Sequence, residues 1–309
     1  MKTPKFAVAA ALIFATMSSL YGTTTSSAAP SCSPSDAGVV IPASPPGLSW
    51  AENVGYDRAG NLWVSRSVRN VVERYDQARR LTGSVPIESP GAIRLGPDGR
   101  MYVASGDSPV NMIPGLPKTG RIMTFAPSSK QPRARVYTTG LGMPNGLAFA
   151  NDGAMYVADS SIGVVRIDRR GVIDRSWTAR APKNLSPNAI VNGTGMNGIV
   201  IIDDIAYVTL TSSLTGRILR IPLRNPTAVG VAVDLTAPLP GVVDDLAALD
   251  SHTIAAATTT GQVIVADLRT GRRCSASLGE PLTSVAVIPS QRHSLVVGTE
   301  SGNIRLLRR

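Results

Sequence analysis

Polar and apolar positions along this chain alternate in short runs with a period of two, the spacing of strands that bury one face. The runs follow a recurring order: an apolar strand, a turn carrying Gly or Asp, and a second strand centred on an aromatic or aliphatic residue. The copies read NVGYDRAGNLWVSR, AIRLGPDGRMYVASG, GLAFANDGAMYVADS, GIVIIDDIAYVTL, LAALDSHTIAAATT and VAVIPSQRHSLVVGT. Their second-strand centres are Trp63, Tyr102, Tyr156, Tyr207, Ala255 and Val296. A third strand follows each copy, often opened by Gly, as in GRIMTF, GVVRID and GRILRI. Pro97-Asp98-Gly99 and Asn151-Asp152-Gly153 suit tight hairpins. Six copies predict an all-β fold, a six-bladed β-propeller with four-stranded antiparallel blades. One copy cannot bury both faces of its own sheet, so neighbours must stack around an axis.

The sixth copy ends at Arg309 after only three strands. A strand near Ala37 to Pro42 is expected to supply its missing outer strand and close the ring, which removes an open edge. Residues 30–309 then form a single domain. Cys32 precedes the closing strand and Cys274 falls in the outer region of blade five. A disulfide between them is expected to pin the closure; the alternative is two unpaired thiols.

The first 29 residues have a different pattern. Lys2 and Lys5 precede an unbroken apolar run from Phe6 to Ala15, and a small polar stretch follows to Ala29. This is the pattern of a secretory signal peptide, and such a run is too short to span a bilayer. The chain is expected to be secreted or periplasmic, without stable membrane insertion.

Composition narrows the chemistry. The chain has 309 residues and a net charge of +10, with two lysines of that charge in the leader. The arginines are scattered, so the charge reads as surface solubility and not as a nucleic-acid footprint. Two His and two Cys exclude a His- or Cys-rich metal centre. A monomer acting on a small molecule is expected.

Oxygen-bearing residues fall at one register. Aligned on their apolar pattern, the six inner strands begin Glu52-Asn53-Val54, Gly91-Ala92-Ile93, Asn145-Gly146-Leu147, Asn197-Gly198-Ile199, Asp244-Asp245-Leu246 and Thr283-Ser284-Val285. In a propeller the first residue of each inner strand sits at one mouth of the central channel. Glu52, Asn145, Asn197 and Asp244 would therefore converge on the axis. Two carboxylates and two amide carbonyls suit a hard divalent cation, Ca²⁺ above zinc. Asp245 is expected to add an oxygen or to hold Asp244 in place. Taken singly, an Asn-Gly pair is usually a turn and an acid at a strand end is usually solvated.

The segments LSWAENVGYDRAGNLWVSR, GMPNGLAFANDGAMYVADS, GMNGIVIIDDIAYVTL and GVVDDLAALD resemble blades of the gluconolactonase, senescence-marker-protein and luciferin-regenerating-enzyme family, over about residues 45 to 309. The resemblance implies a sugar-lactone-lactonase-like propeller in which Glu52, Asn145, Asn197 and Asp244 match the divalent-metal ligands. The chain departs from that pattern at Gly91, where polar substrate contacts would stand. His252 and His293 fall in hairpins opposite the metal mouth, away from a paraoxonase-like His pair.

These features lead to the expectation of a Ca²⁺-dependent hydrolase acting on a lactone or ester. The metal would polarise the carbonyl, and Asp244, Asp245 or Glu52 would take a proton from water. The loop from Gly106 to Thr119 offers Asp107, Asn111 and Met112 to a substrate pocket, and Arg66 is expected to steer an anionic substrate. Two other classes remain open. One is a non-catalytic propeller that binds a ligand or protein around a structural metal. The other is a strictosidine-synthase-like or streptogramin-lyase-like enzyme; the latter requires a general base that neither His supplies.

Overall fold

The computed structural model describes residues 34–113, 115–183 and 187–309. The expected leader and Cys32 lie outside the described residues. The remainder folds as six small antiparallel sheets arranged in a ring. Blade one runs outward in chain order through Ala51–Tyr56, Leu62–Arg66, Val71–Tyr75 and Leu81–Pro86. Blades two, four and five repeat this plan from inner strands Pro90–Leu95, Gly193–Ile202 and Val243–Ala248. Each inner strand touches those of its two neighbours, and the sixth meets the first.

The ring closes as the strand count requires. Ser35–Ile41 pairs antiparallel with Ile304–Arg308 and completes the sixth blade, whose inner strand is Leu282–Ile288. Arg305 reinforces the join through ion pairs to Asp36 and, at 2.7 Å, to Glu280. Cys274 lies on the outer strand Arg273–Ser277 of blade five, opposite Val265.

Blade three has three regular strands, Pro144–Phe149, Met155–Asp159 and Gly163–Ile167. Its outer position holds a single bridge between Ile167 and Ile173 and then the helix Arg175–Arg180. Asp174 caps that helix by accepting the Trp177 N–H at 2.9 Å. The buried Trp177 indole packs edge-on against Tyr156 and donates to the carbonyl of Leu223 in blade four, at 2.7 Å. The wedge between these blades is thus filled by a helix side chain in place of a strand.

Among the described residues, six apolar clusters each join two neighbouring blades. Between blades two and three, for example, Ala92, Tyr102 and Ile122 meet Leu147, Val157 and Val165. A fully buried aliphatic side chain contributes about 1.5–3 kcal/mol, so stacking of blades dominates the cohesion of the ring. Period-two patterning therefore serves both faces of each sheet, which explains why strands such as Leu62–Arg66 and Met101–Ser105 are buried throughout.

Candidate metal centre

The six inner strands share one irregularity. Each carries one extra residue relative to its partner strand, and the extra residue falls at the aligned register. The pairing slips between Ala51 and Asn53, Pro90 and Ile93, Pro144 and Gly146, Met196 and Ile199, Val243 and Leu246, and Leu282 and Ser284. A β-bulge bends its strand and re-aims a side chain. Glu52, Asn145, Asn197 and Asp244 all lie at these bulges, and each is at least nine-tenths buried.

The Asn-Gly pairs at this register are not turns. A Cβ at Gly146 would lie 2.1 Å from the carbonyl oxygen of Asn197, and one at Gly198 would lie 2.7 Å from the Cα of Asp245. Real Cβ atoms do not approach that closely, so Gly allows each inner strand to press against the next. The Asn197 amide just before Gly198 meets Asp244 of the next blade, while the Asn145 amide reaches back to blades two and one.

The contacts follow from this packing. Asn145 Nδ2 donates to Glu52 Oε1 at 3.2 Å across the hub and to Asp107 Oδ2 at 3.1 Å. Asn197 Nδ2 donates to Asp244 Oδ1 and to Thr211 Oγ1. The Trp50 indole N–H donates to Glu52 Oε2 at 2.5 Å. Burial raises the pKa of Glu52, although the hydrogen bonds from Trp50, Asp107 and Asn145 pull the other way. Asp244 is pushed well above the usual carboxylate range, by burial first and then by the charges of Glu52, Asp245 and Asp107. Asp107 is raised strongly too, by burial and by Glu52. Acids buried and crowded in this way hold their protons unless a cation compensates their charge.

An oxygen-liganded cation fits this donor set. The buried Oδ1 atoms of Asn197 and Asp107 have no hydrogen-bond partner. Orphaned buried acceptors are costly unless a donor, water or ion meets them. Among the described residues no group of three or more His, Cys, Asp or Glu is arranged to hold an ion alone. The oxygens at this hub come from amides as well as acids, and the amides are part of the set.

The neighbouring residue Asp245 has a different environment. Both its oxygens accept from Arg94 Nη2 at 3.1 Å, and Oδ2 accepts from Asn53 Nδ2 at 3.0 Å. It faces down the channel, where Arg94 borders a cavity of about 240 Å³ walled by Val54, Val200, Leu246 and Val285. The expectation that Asp245 takes a proton at the mouth has to contend with this bidentate ion pair, which commits both oxygens.

Arg66 does not reach a substrate site. It is 1% exposed and holds Glu73 Oε2, Ser49 O and Gly302 O at 2.6–2.8 Å. Its partners tie blade one to the closing blade, and burial removes it from any steering role. Asn111 is also structural: its amide donates to Gly106 O and accepts from Thr119, stapling its own loop. Met112 is 38% exposed on the mouth side. Asp107, from the same loop, reaches the hub itself.

Sequence reasoning missed three features. The Trp50–Glu52 bond carried no motif. Arg94, a charged residue in an otherwise apolar inner strand, was a visible signal. Asp159, fully buried, accepts four backbone N–H groups, from Gly142, Met143, Ser161 and Ile162, at 2.7–3.1 Å. It thereby fixes the entry to the strand that carries Asn145.

The mouth also has an apolar rim. Leu48 and Leu239 precede inner strands, and Val110, Ile113, Leu116 and Leu214 lie on loops joining second to third strands. Each is 45–67% exposed. His252 and His293 sit at the far ends of their blades, near the turns that follow the inner strands.

Fold and hub together define a six-bladed β-propeller with acids and amides converging at one mouth of its channel. Solved structures share the architecture. A gluconolactonase of Xanthomonas campestris matches with a TM-score of 0.63 at 14% identity, covering 84% of this chain and 86% of that one. Regucalcin from Agrobacterium tumefaciens, a calcium-binding protein, matches with a TM-score of 0.62 at 17% identity, covering 88% and 93%. A catalytically inactive histidine-to-alanine variant of virginiamycin B lyase from Staphylococcus aureus, solved with quinupristin, matches with a TM-score of 0.58 at 11% identity, covering 85% and 96%. No family model and no curated protein matches the sequence. At these identities the likeness is one of fold.

Proposed function

We propose that this protein is an exported, Ca²⁺-dependent hydrolase of lactones or esters, with its site at the acidic mouth of the propeller. The observation that carries the reading is the convergence of Glu52, Asn145, Asn197 and Asp244 at equivalent bulges of four blades, with Asn197 Oδ1 buried and unpartnered. These four side chains would hold the ion. When bound, Ca²⁺ supplies a Lewis acid for the substrate carbonyl.

The chain's own residues supply the rest. Asp244 or Glu52 takes a proton from the attacking water and returns it to the departing alkoxide as the acyl–oxygen bond breaks. Both Glu52 oxygens accept hydrogen bonds, from Trp50 and Asn145, whereas Asp244 accepts from Asn197 at Oδ1 alone, so Asp244 is the better placed base. The exposed aliphatic rim favours an acyl or aryl substrate over a sugar acid.

Export, the Cys32–Cys274 disulfide and a monomeric state belong to the same proposal. They rest on the leader pattern and on the place of Cys274 beside the closing blade. A lyase of the streptogramin type is the weaker reading: the catalytically inactive lyase has a His replaced by Ala, and neither His here stands at the acidic mouth.

Hydrolysis of a panel of lactones and aryl esters tests the reading. Turnover is expected with Ca²⁺, abolished by chelator and by Asp244→Ala. Absence of turnover in every condition, with Ca²⁺ still raising the melting temperature, would instead establish a binding propeller with a structural ion.

A further inference from the structure

The register that places oxygens at the hub is interrupted in blade two, where Gly91 has no side chain. A Cβ there would lie 3.3 Å from the Cβ and Oδ2 of Asp107 and from the carbonyl oxygen of Asn145. The space is therefore occupied by the Asp107 carboxylate, which arrives from the loop that follows the second strand of the same blade. Asp107 Oδ2 accepts from Asn145, whose Nδ2 also reaches Glu52. Asp107 Oδ1 is buried and meets no donor. A carboxylate that faces other acids in a buried hub, with an oxygen left unpartnered, is an arrangement completed by a cation.

We propose that Asp107 is an additional carboxylate of the cation site, delivered by the blade-two loop to the place that Gly91 leaves open. This rests on the reading of the hub as a Ca²⁺ site and extends it. The hub then carries three carboxylates, Glu52, Asp107 and Asp244, in place of the two the inner strands provide. Extra ligand charge tightens binding of hard cations. It does so more strongly for a trivalent ion, because the Coulomb energy scales with ionic charge.

The test is a titration of the full chain with Ca²⁺ by calorimetry and with Tb³⁺ by emission sensitised through tryptophan, Trp50 being hydrogen-bonded to Glu52. Asp107→Asn is expected to lose roughly 10- to 100-fold in Ca²⁺ affinity. The logarithm of its Tb³⁺ loss should be about 1.5 times larger, the ratio of the two charges. Gly91→Ala, which crowds the carboxylate without removing it, should weaken both ions to a lesser degree. In chelator, Asp107→Asn should melt no lower than the parent, since it removes one of three crowded charges; a purely structural Asp107 would lower it. Parent-like affinity of Asp107→Asn for both ions would overturn this proposal alone. A parent that binds neither ion would overturn the calcium reading and this proposal together.

Discussion

Replacing Arg66 by Met separates a structural role for this residue from a substrate-steering one. The side chain is almost fully buried and its guanidinium makes three short bonds: 2.8 Å to Glu73, 2.7 Å to Ser49 O and 2.6 Å to Gly302 O. Met fills similar space but donates nothing. Two buried carbonyls are then left without this donor, at about 1–3 kcal/mol each. Glu73 keeps Arg69 at 2.7 Å and the Tyr75 hydroxyl at 2.7 Å, so its charge is not left bare. The expected loss is about 2–6 kcal/mol, a large share of the roughly 5–15 kcal/mol that stabilises a typical domain. Urea unfolding at neutral pH measures it. Burial alone would raise the pKa of Glu73, but Arg66, Tyr75 and Arg69 together bring it below the usual glutamate value. That contribution is present above the unfolded pKa and lost as pH falls through the folded one. The deficit of the Met variant should therefore shrink below about pH 4. A variant within about 1 kcal/mol of the parent, with a raised KM for anionic esters, would refute the clasp and restore the steering role.

Two further outcomes follow from the hub and its packing. Glu52, Asp107 and Asp244 all have raised pKa values, so their contribution to stability is full below the unfolded carboxyl values, near about pH 4, and fades as pH rises through the folded ones. In chelator the melting temperature should fall from about pH 5 to about pH 8, and Ca²⁺ should remove most of that fall; identical flat profiles with and without Ca²⁺ would contradict it. Gly146→Ala places a Cβ 2.1 Å from Asn197 O, which should cost about 1–3 kcal/mol by overpacking and weaken Ca²⁺ binding by shifting Asn145. A variant with parental stability and affinity would show that the two inner strands are not pressed together there.

The strands, the number of blades and the closed ring are all legible in the chain. Period-two runs such as MYVAS and LWVSR cannot stand alone with both faces apolar, so stacked blades were the only economical burial. The pattern also places Glu52, Asn145, Asn197 and Asp244 at one register, because the copies align on Trp63, Tyr156, Tyr207 and Ala255. It does not show that a bulge at that register turns these side chains together, since one extra residue in a strand leaves no mark beyond a shifted offset. Blade three resembles its neighbours in sequence, yet the Trp177 helix takes its outer position.

The adjacent acids Asp244 and Asp245 read as interchangeable, yet Arg94 reaches one and not the other. Arg66 is drawn away from the mouth and Asp107 into the hub for the same kind of reason. Both sit near the ends of second strands, where local pattern predicts solvated charge. The closing blade supplies Gly302 O to bury the first, and the missing side chain of Gly91 admits the second to the hub. Such partners lie tens to hundreds of residues apart in the chain. Which polar groups meet is settled when the ring closes, because a buried charge takes its character from the neighbours that compensate it.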